Sequence, residues 1–394
     1  MISSLCGVVY SFGISAFLLL NSFYVYDLMQ SATKESNLYY FSQIATPSQN
    51  QASEKSTESQ KPWYEVSNIL SLGALIVAIL AAVSSQRSAT AEEIRAKKEE
   101  LRQIIVQLLE FQENFNSTII HMQDEQARMY AGIILNNKKL IYLEAAELVA
   151  KQIPNHVSSP EYVILAAENY YDSDFVQARS YYKKAVKAAK RSSIIMQAYA
   201  LRELASNYFV SGTLQDVEQA RKHFREAIDA LKNEVDPYSI YCQGITYRSW
   251  AYSEIYWGDK LQAASTLENA KALFFNLPTG YVYKEHELNL TANLYQQLAI
   301  SYFNTGKDKD IEEGRKIFLA ALDVISHLAD TNSIYLKTGQ IYQEWGQQEN
   351  SQKFGNEGRL KFQLAKQEYL KLPAQYPLRD QYLKYIEEMI NTVL

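Results

Sequence analysis

Charge is distributed very unevenly along this chain. Residues 2–26 contain no charged side chain, and neither does Val66–Val83, whose centre reads Leu72-Gly73-Ala74-Leu75-Ile76-Val77-Ala78-Ile79-Leu80. Each run is long enough to span a bilayer, which takes about 20 apolar residues. Trp63 and Tyr64 precede the second run, where aromatic rings favour the headgroup layer, and Arg87, Arg95, Lys97, Lys98 and Arg102 follow it. The stretch 27–65 between the runs is rich in Ser, Thr and Gln and holds three lysines against five acids. The pattern predicts a first transmembrane helix over 1–26, a flexible extracytoplasmic loop over 27–65 and a second transmembrane helix over 66–83. The basic residues after the second run place the remainder in the cytoplasm, so an integral protein of the plasma or inner membrane is expected. A cleaved signal segment is the competing reading of the first run. The absence of any Lys or Arg before Lys34, and of a convincing cleavage site, favours a span.

Beyond Val83 the pattern changes to helical amphipathicity. Ile94, Leu101, Leu108, Phe115 and Met122 fall seven apart, with Ile104 and Phe111 between them, while Lys97 and Thr118 interrupt the seam. This predicts a helical stalk over 88–123. Either it forms a parallel coiled coil or it folds back on the rest of its own chain. With Ala74, Ala78 and Ala82 on one face of the second apolar run, the coiled coil offers a route to a homodimer. A further helix covers Asp124–Lys151 and ends near Pro154, because proline cannot continue a helix.

From Tyr162 onward a helix-pair pattern recurs five times. Two copies are clear: Leu201, Leu204, Ala205, Tyr208, Gly212, then Ala220, Phe224, Ala227; and Tyr295, Leu298, Ala299, Tyr302, Gly306, then Gly314, Phe318, Ala321. The other copies are Tyr162–Ala185, Tyr247–Ala270 and a weaker one: Tyr335, Thr338, Gly339, Tyr342, Gly346, then, after a long insertion, Gly358, Phe362, Ala365. The pattern resembles the tetratricopeptide repeat (TPR), a helix–turn–helix unit with large, small and aromatic residues at fixed offsets. Copies here lie 39 to 48 residues apart, against about 34 in that family, so the resemblance is to a lengthened version. Other α-solenoids built on 40-residue helix pairs fit the same spacing. The expected fold class is all-α: two transmembrane helices, the stalk, then an α-solenoid of about five degenerate TPR-like pairs over 124–394, closed by a C-terminal capping helix over 378–394.

Composition agrees with such an array. Tyr is abundant at 30 residues, whereas Gly (14) and Pro (8) are scarce. The net charge of −5 gives no nucleic-acid signal, and Cys6 and Cys242 form no disulfide framework or metal pair. The five histidines have no metal-ligand spacing, and Gly306-Lys307 lacks the remaining residues of a phosphate loop. An enzyme is not expected, nor is a cofactor or metal. The lysine run Lys183, Lys184, Lys187, Lys190 and Arg191 reads as a solvated helix face.

The resemblance implies a concave groove lined by the first helix of each pair. The residues at those positions are Tyr170, Tyr171, Arg202, Phe209, Arg248, Tyr252, Tyr256, Gln296 and Phe303. Arg202 and Arg248 occupy equivalent positions, where guanidinium groups would pair with a carboxylate or phosphate. The carboxylate clamp of chaperone-binding TPR proteins is not matched, since Ala167, Ser206, Tyr252 and Ile300 stand at its positions. The expected function is a membrane-anchored adaptor that recruits a protein or peptide partner. The alternative is a two-helix membrane effector or pore gated by the repeat domain.

Overall fold

The computed structural model describes residues 91–392, apart from Gln123 and Ser211. Thirteen α-helices and no strand occur among the described residues. Two compact units divide between Glu168 and Asn169.

The first unit holds a helix pair and most of a third helix. Helix α1 (Ala91–His121) packs on α2 (Glu125–Gln152) within the same chain. Leu101, Ile104, Ile105 and Leu108 of the expected stalk are buried, as are Leu143, Ala145, Ala146 and Val149 of α2. Asp124 caps α2 by accepting from the backbone N–H of Gln126 and Ala127. Helix α3 (Ser159–Tyr171) opens beside Pro154, whose carbonyl accepts from the Tyr162 hydroxyl at 2.8 Å. The buried carboxylate of Glu168 is met by Lys139 at 2.8 Å.

The second unit begins with α4 (Phe175–Ala189) and continues as four helix pairs: α5 (Ile194–Val210) with α6 (Leu214–Leu231), α7 (Pro237–Trp257) with α8 (Lys260–Phe275), α9 (Lys284–Phe303) with α10 (Asp308–Ile325), and α11 (Thr331–Ser351) with α12 (Gly355–Lys371). The last helix, α13 (Arg379–Thr392), lies on α12 and buries Ile386 among Tyr369, Leu372 and Phe362. The second helix of each pair meets the first helix of the next, and first helices also touch one another along the array. This is a stack of helix pairs, an α-solenoid. Asp174, Asp236, Asp259 and Asp330 start four of the helices by accepting from backbone N–H groups.

Small residues set the distance between the two helices of a pair. A Cβ on Gly314 would fall 3.1 Å from the carbonyl oxygen of Ala299 and closer still to the Phe303 ring. Ala205, Ala220, Ala251 and Ala263 are fully buried at the corresponding positions. The pairs also alternate in kind. Ala205, Phe224, Trp250 and Glu254 recur as Ala299, Phe318, Trp345 and Glu349, 94 or 95 residues later. Two adjacent pairs therefore form the larger repeating unit.

Two expectations are corrected here. The fifth copy has no long insertion: α11 continues to Ser351, and only Gln352, Lys353 and Phe354 separate it from α12. Its crossing residue is Gly346, where an added Cβ would sit 3.0 Å from the Gly358 carbonyl oxygen. Gly339, two turns earlier, instead receives the ring of Tyr369. With this register the crossing residues Ala205, Ala251, Ala299 and Gly346 lie 46 to 48 residues apart.

The second correction concerns the membrane. Among the described residues no helix is long and apolar enough to cross one. The physical reason is that the long helices mix polar and charged side chains with apolar ones: α1 buries Leu101 and Leu108 while exposing Glu92, Glu93 and Arg95. The fold class with two transmembrane helices and the placement as an integral plasma- or inner-membrane protein therefore do not stand. The segments 1–26, 27–65 and 66–83 on which they rested lie outside the described residues.

Candidate partner-binding surface

The two arginines expected to line a groove are buried and already paired. Arg202, 4% exposed, bonds Glu203 through Nε at 3.0 Å and also through a terminal nitrogen, and its guanidinium lies 4.6 Å from the Tyr199 ring. Burial opposes its charge, but Glu203, together with Tyr199 and Cys242, outweighs this and raises the guanidinium pKa. Arg248 meets the buried carboxylate of Glu287 in the next first helix, Nε to Oε2 at 2.8 Å. Each guanidinium thus has its own carboxylate, and neither is presented as a free cation.

The aromatics divide into core and surface. Phe303 is fully buried and tilts against Phe318 with ring centroids 5.9 Å apart. Phe209 makes the equivalent contact with Phe224 at 6.1 Å and is half-buried. Tyr170 is half-buried edge-on to Tyr171 and Phe175, and burial followed by Glu203 pushes its hydroxyl up to about 12. Gln296 is half-buried. Tyr252 and Tyr256 come together, ring centroids 4.6 Å apart, and Tyr256 is exposed. Of the expected set, this tyrosine pair at the end of α7 is therefore brought together at an accessible place.

Sequence reasoning missed what surrounds that pair. Trp257 follows Tyr256, and Leu261 opens α8 one turn later. Tyr256, Trp257 and Leu261 are 51%, 38% and 79% exposed. Gly258 makes the sharp corner, adopting a left-handed φ of 96° while its N–H bonds the Glu254 carbonyl. Arg221 on α6 reaches this corner, bonding Asp259 at 2.8 Å. Exposed Val210 and Leu214 flank the preceding turn, between α5 and α6. The signal in sequence was the run Tyr256-Trp257-Gly258, which helical spacing alone assigns to no face.

A second feature was also not anticipated. A groove of about 510 Å³ opens between α4, α5 and α6. Its floor is Leu201 and Leu204 of α5, flanked by Val186 of α4 and Ala230 of α6. Lys183 of α4 and Lys190, which caps its C-terminal end, stand on one side; His223, Glu226 and Asp229 of α6 stand on the other, with Gln197 at the α5 edge. Leu201 lies on a different stripe of α5 from Arg202, so the groove includes none of the residues assigned to the concave face. The lysines that read as a solvated face form one of its sides.

Among the described residues no group of three or more metal-capable side chains is gathered. The fold and surface define a helical-repeat protein of stacked helix pairs. Compared with protein-family models and with curated proteins, the chain matches none.

Proposed function

We propose that this chain is a TPR-like binding array that holds a protein or peptide partner without performing chemistry on it. The observation that supports this reading is the exposed apolar corner formed by Tyr256, Trp257 and Leu261. Contiguous exposed apolar surface costs solvation and marks interaction sites, and Trp and Tyr dominate the binding energy of protein interfaces. Arg221 ties the turn after Trp257 to α6 through Asp259, and Gly258 makes that turn sharp. Tyr252 extends the apolar surface toward the first-helix face. Recognition there is by shape and apolar contact, since Arg202 and Arg248 are occupied by Glu203 and Glu287.

The test is a photo-cross-linking residue placed at Trp257 in one form of the protein and at exposed Leu319 of α10 in another, in the cells that make it. A defined adduct from position 257 is expected, absent from position 319 and lost on Tyr256→Ala/Leu261→Ala. Equal labelling from both positions, or an adduct indifferent to that double substitution, would remove this corner from the interface.

A further inference from the structure

Between Phe175 and Arg202 the chain carries seven basic residues and no acid, in a protein whose net charge is −5. Four of the seven, Arg179, Lys183, Lys184 and Lys187, lie on α4. Arg179 is used internally, bonding Asn207 at 3.1 Å and Asp216 at 3.3 Å. Lys183 and Lys187, with Lys190 at the C-cap and Arg191 in the turn after it, are exposed, and none of these four forms an ion pair among the described residues. Lys183, Lys187 and Lys190 fall at i, i+4 and i+7, on one side of the helix, and the C-cap keeps helical angles of φ −50° and ψ −23°.

Like charges at this spacing repel one another. The other second helices avoid that by pairing within themselves: Arg221 with Glu218 on α6, Lys271 with Glu268 on α8, Lys316 with Glu313 on α10 and Lys371 with Glu368 on α12. On α4 no such pair exists, because no acid lies within reach along the helix. The helix macrodipole favours cations in the last turn, which accounts for Lys187 and Lys190 but not for Lys183, a turn earlier. Nor do the acids across the groove neutralise the stripe, since Glu226 meets Lys222 and His223, and Asp229 meets Lys232.

We propose that the stripe Lys183, Lys187, Lys190 and Arg191 docks a short acidic segment of a partner protein, its carboxylates meeting the four cations. From Lys183 to Arg191 the stripe is about 12 Å long at 1.5 Å per residue, which two turns of an acidic helix would cover. Charge complementarity selects the occupant: a carboxylate run relieves the repulsion along α4, and opposite charges speed and orient encounter. A nucleic-acid strand fits less well, because no aromatic side chain between Phe175 and Ile194 is fully exposed to stack on bases. An anionic membrane surface fits less well too, because a plane laid on the stripe would also meet Glu226 and Asp229. The stripe does not depend on the Tyr256–Trp257 corner.

The test uses the full chain and a fluorescent helical peptide with Glu at i, i+3, i+4 and i+7, beside the same peptide with Gln at those positions. The Glu peptide should bind saturably and weaken as salt is added, while the Gln peptide should not bind. Lys183→Gln/Lys187→Gln/Lys190→Gln/Arg191→Gln should lower the affinity at least tenfold. These side chains are exposed, so circular dichroism and the thermal midpoint should be unchanged. A control of the same net charge, Lys309→Gln/Lys316→Gln/Lys353→Gln/Lys384→Gln, also alters exposed positions and should bind as the parent does. The proposal is overturned if the Glu peptide does not bind, if the stripe variant binds it unchanged, or if the control weakens binding equally, because net charge alone is then responsible. It is also overturned if an eight-nucleotide oligothymidylate or phosphatidylglycerol vesicles bind the stripe more tightly than the peptide, because the occupant is then a phosphate polymer or a lipid surface.

Discussion

Arg221 grips Glu254 with two hydrogen bonds of 2.7 Å each, joining the second helix of one pair to the first helix of the next. The Glu254 carboxylate is fully buried and also accepts the indole N–H of Trp250 at 2.7 Å, while Trp250 stacks on Phe224. The set is repeated further along. Arg315 grips Glu349 with two bonds of 2.7 Å, Trp345 donates to the same carboxylate at 2.8 Å, and Trp345 stacks on Phe318. The recurrence makes this four-residue lock the joint between the two pairs of each larger unit.

A buried carboxylate deprived of its cation is costly, whereas removing both charges is much less so. Arg221→Met should therefore destabilise the second unit by about 3 kcal/mol. Glu254→Gln/Arg221→Met should cost clearly less than the sum of the two single substitutions. Urea unfolding of the four members of the cycle measures the coupling. Additive effects would mean that solvent already screens the pair.

Gly346 offers a test of how closely α11 and α12 approach. Replacing an interior helical glycine with alanine ordinarily gains about 1 kcal/mol of helix propensity. Here the new Cβ would lie 2.7 Å from the Phe362 ring and 3.0 Å from the backbone oxygen of Gly358. The ring can shift but the backbone cannot, and overpacking costs about 1–3 kcal/mol. Gly346→Ala should lower the thermal midpoint, and a rise would place the helices further apart than described.

These two sites also mark how far the sequence could be read. The Leu-Ala-x-x-Tyr stripe of α5 and α9 gave the helix pairs, because local periodicity records which face of a helix is buried. The register of α11 was misjudged because Gly339 and Gly346 lie seven apart on one stripe, and both admit a ring from α12. Spacing within one helix does not distinguish a crossing point from a second close approach. Arg202 and Arg248 were placed on first helices, but their carboxylates were not foreseen. Glu287 lies in a different repeat from Arg248, and such pairings follow from stacking rather than from local pattern. The charged groove was missed for the same reason: its lysines and acids belong to helices on either side of α5.

Acid should loosen the start of α7 first through Asp236. Its carboxylate accepts from the backbone N–H of Tyr238 and Ser239 at 3.0 Å each, and the bond to the Ser239 side chain is the main cause holding its pKa below the ordinary aspartate value. A depressed folded pKa means the stabilisation is complete above the unfolded value of about 3.9 and is lost as pH falls through the folded value. Asp236→Ala should cost about 1 kcal/mol at pH 7, and that difference should shrink in strong acid to what a neutral cap supplies. Asp236→Asn, which keeps the cap but cannot ionise, should flatten this part of the pH–stability curve. Thermal midpoints from pH 7 down to pH 2 would show it, and parallel curves for all three proteins would exclude this carboxylate as an acid-sensitive cap.

Cys242 reports on the closed state of the same helix. Burial pushes its thiol up to about 12, against the opposing effect of the neighbouring Arg202 guanidinium and the Tyr238 hydroxyl. Only the thiolate reacts with alkylating agents, and an unfolded cysteine has a pKa of about 8.5. At pH 8 the folded thiol is ~0.01% ionised, whereas the unfolded one is roughly one quarter ionised. In a Cys6→Ser background, iodoacetamide should label Cys242 at least about a hundredfold more slowly in native protein than in guanidinium, by the thiolate ratio alone. Raising the pH from 8 to 9 should increase the native rate about tenfold, because the thiolate fraction is still far from saturation. Equal native and denatured rates would mean that the first turns of α7 open freely, and the packing of Arg202, Tyr238 and Cys242 would then not describe the protein in solution.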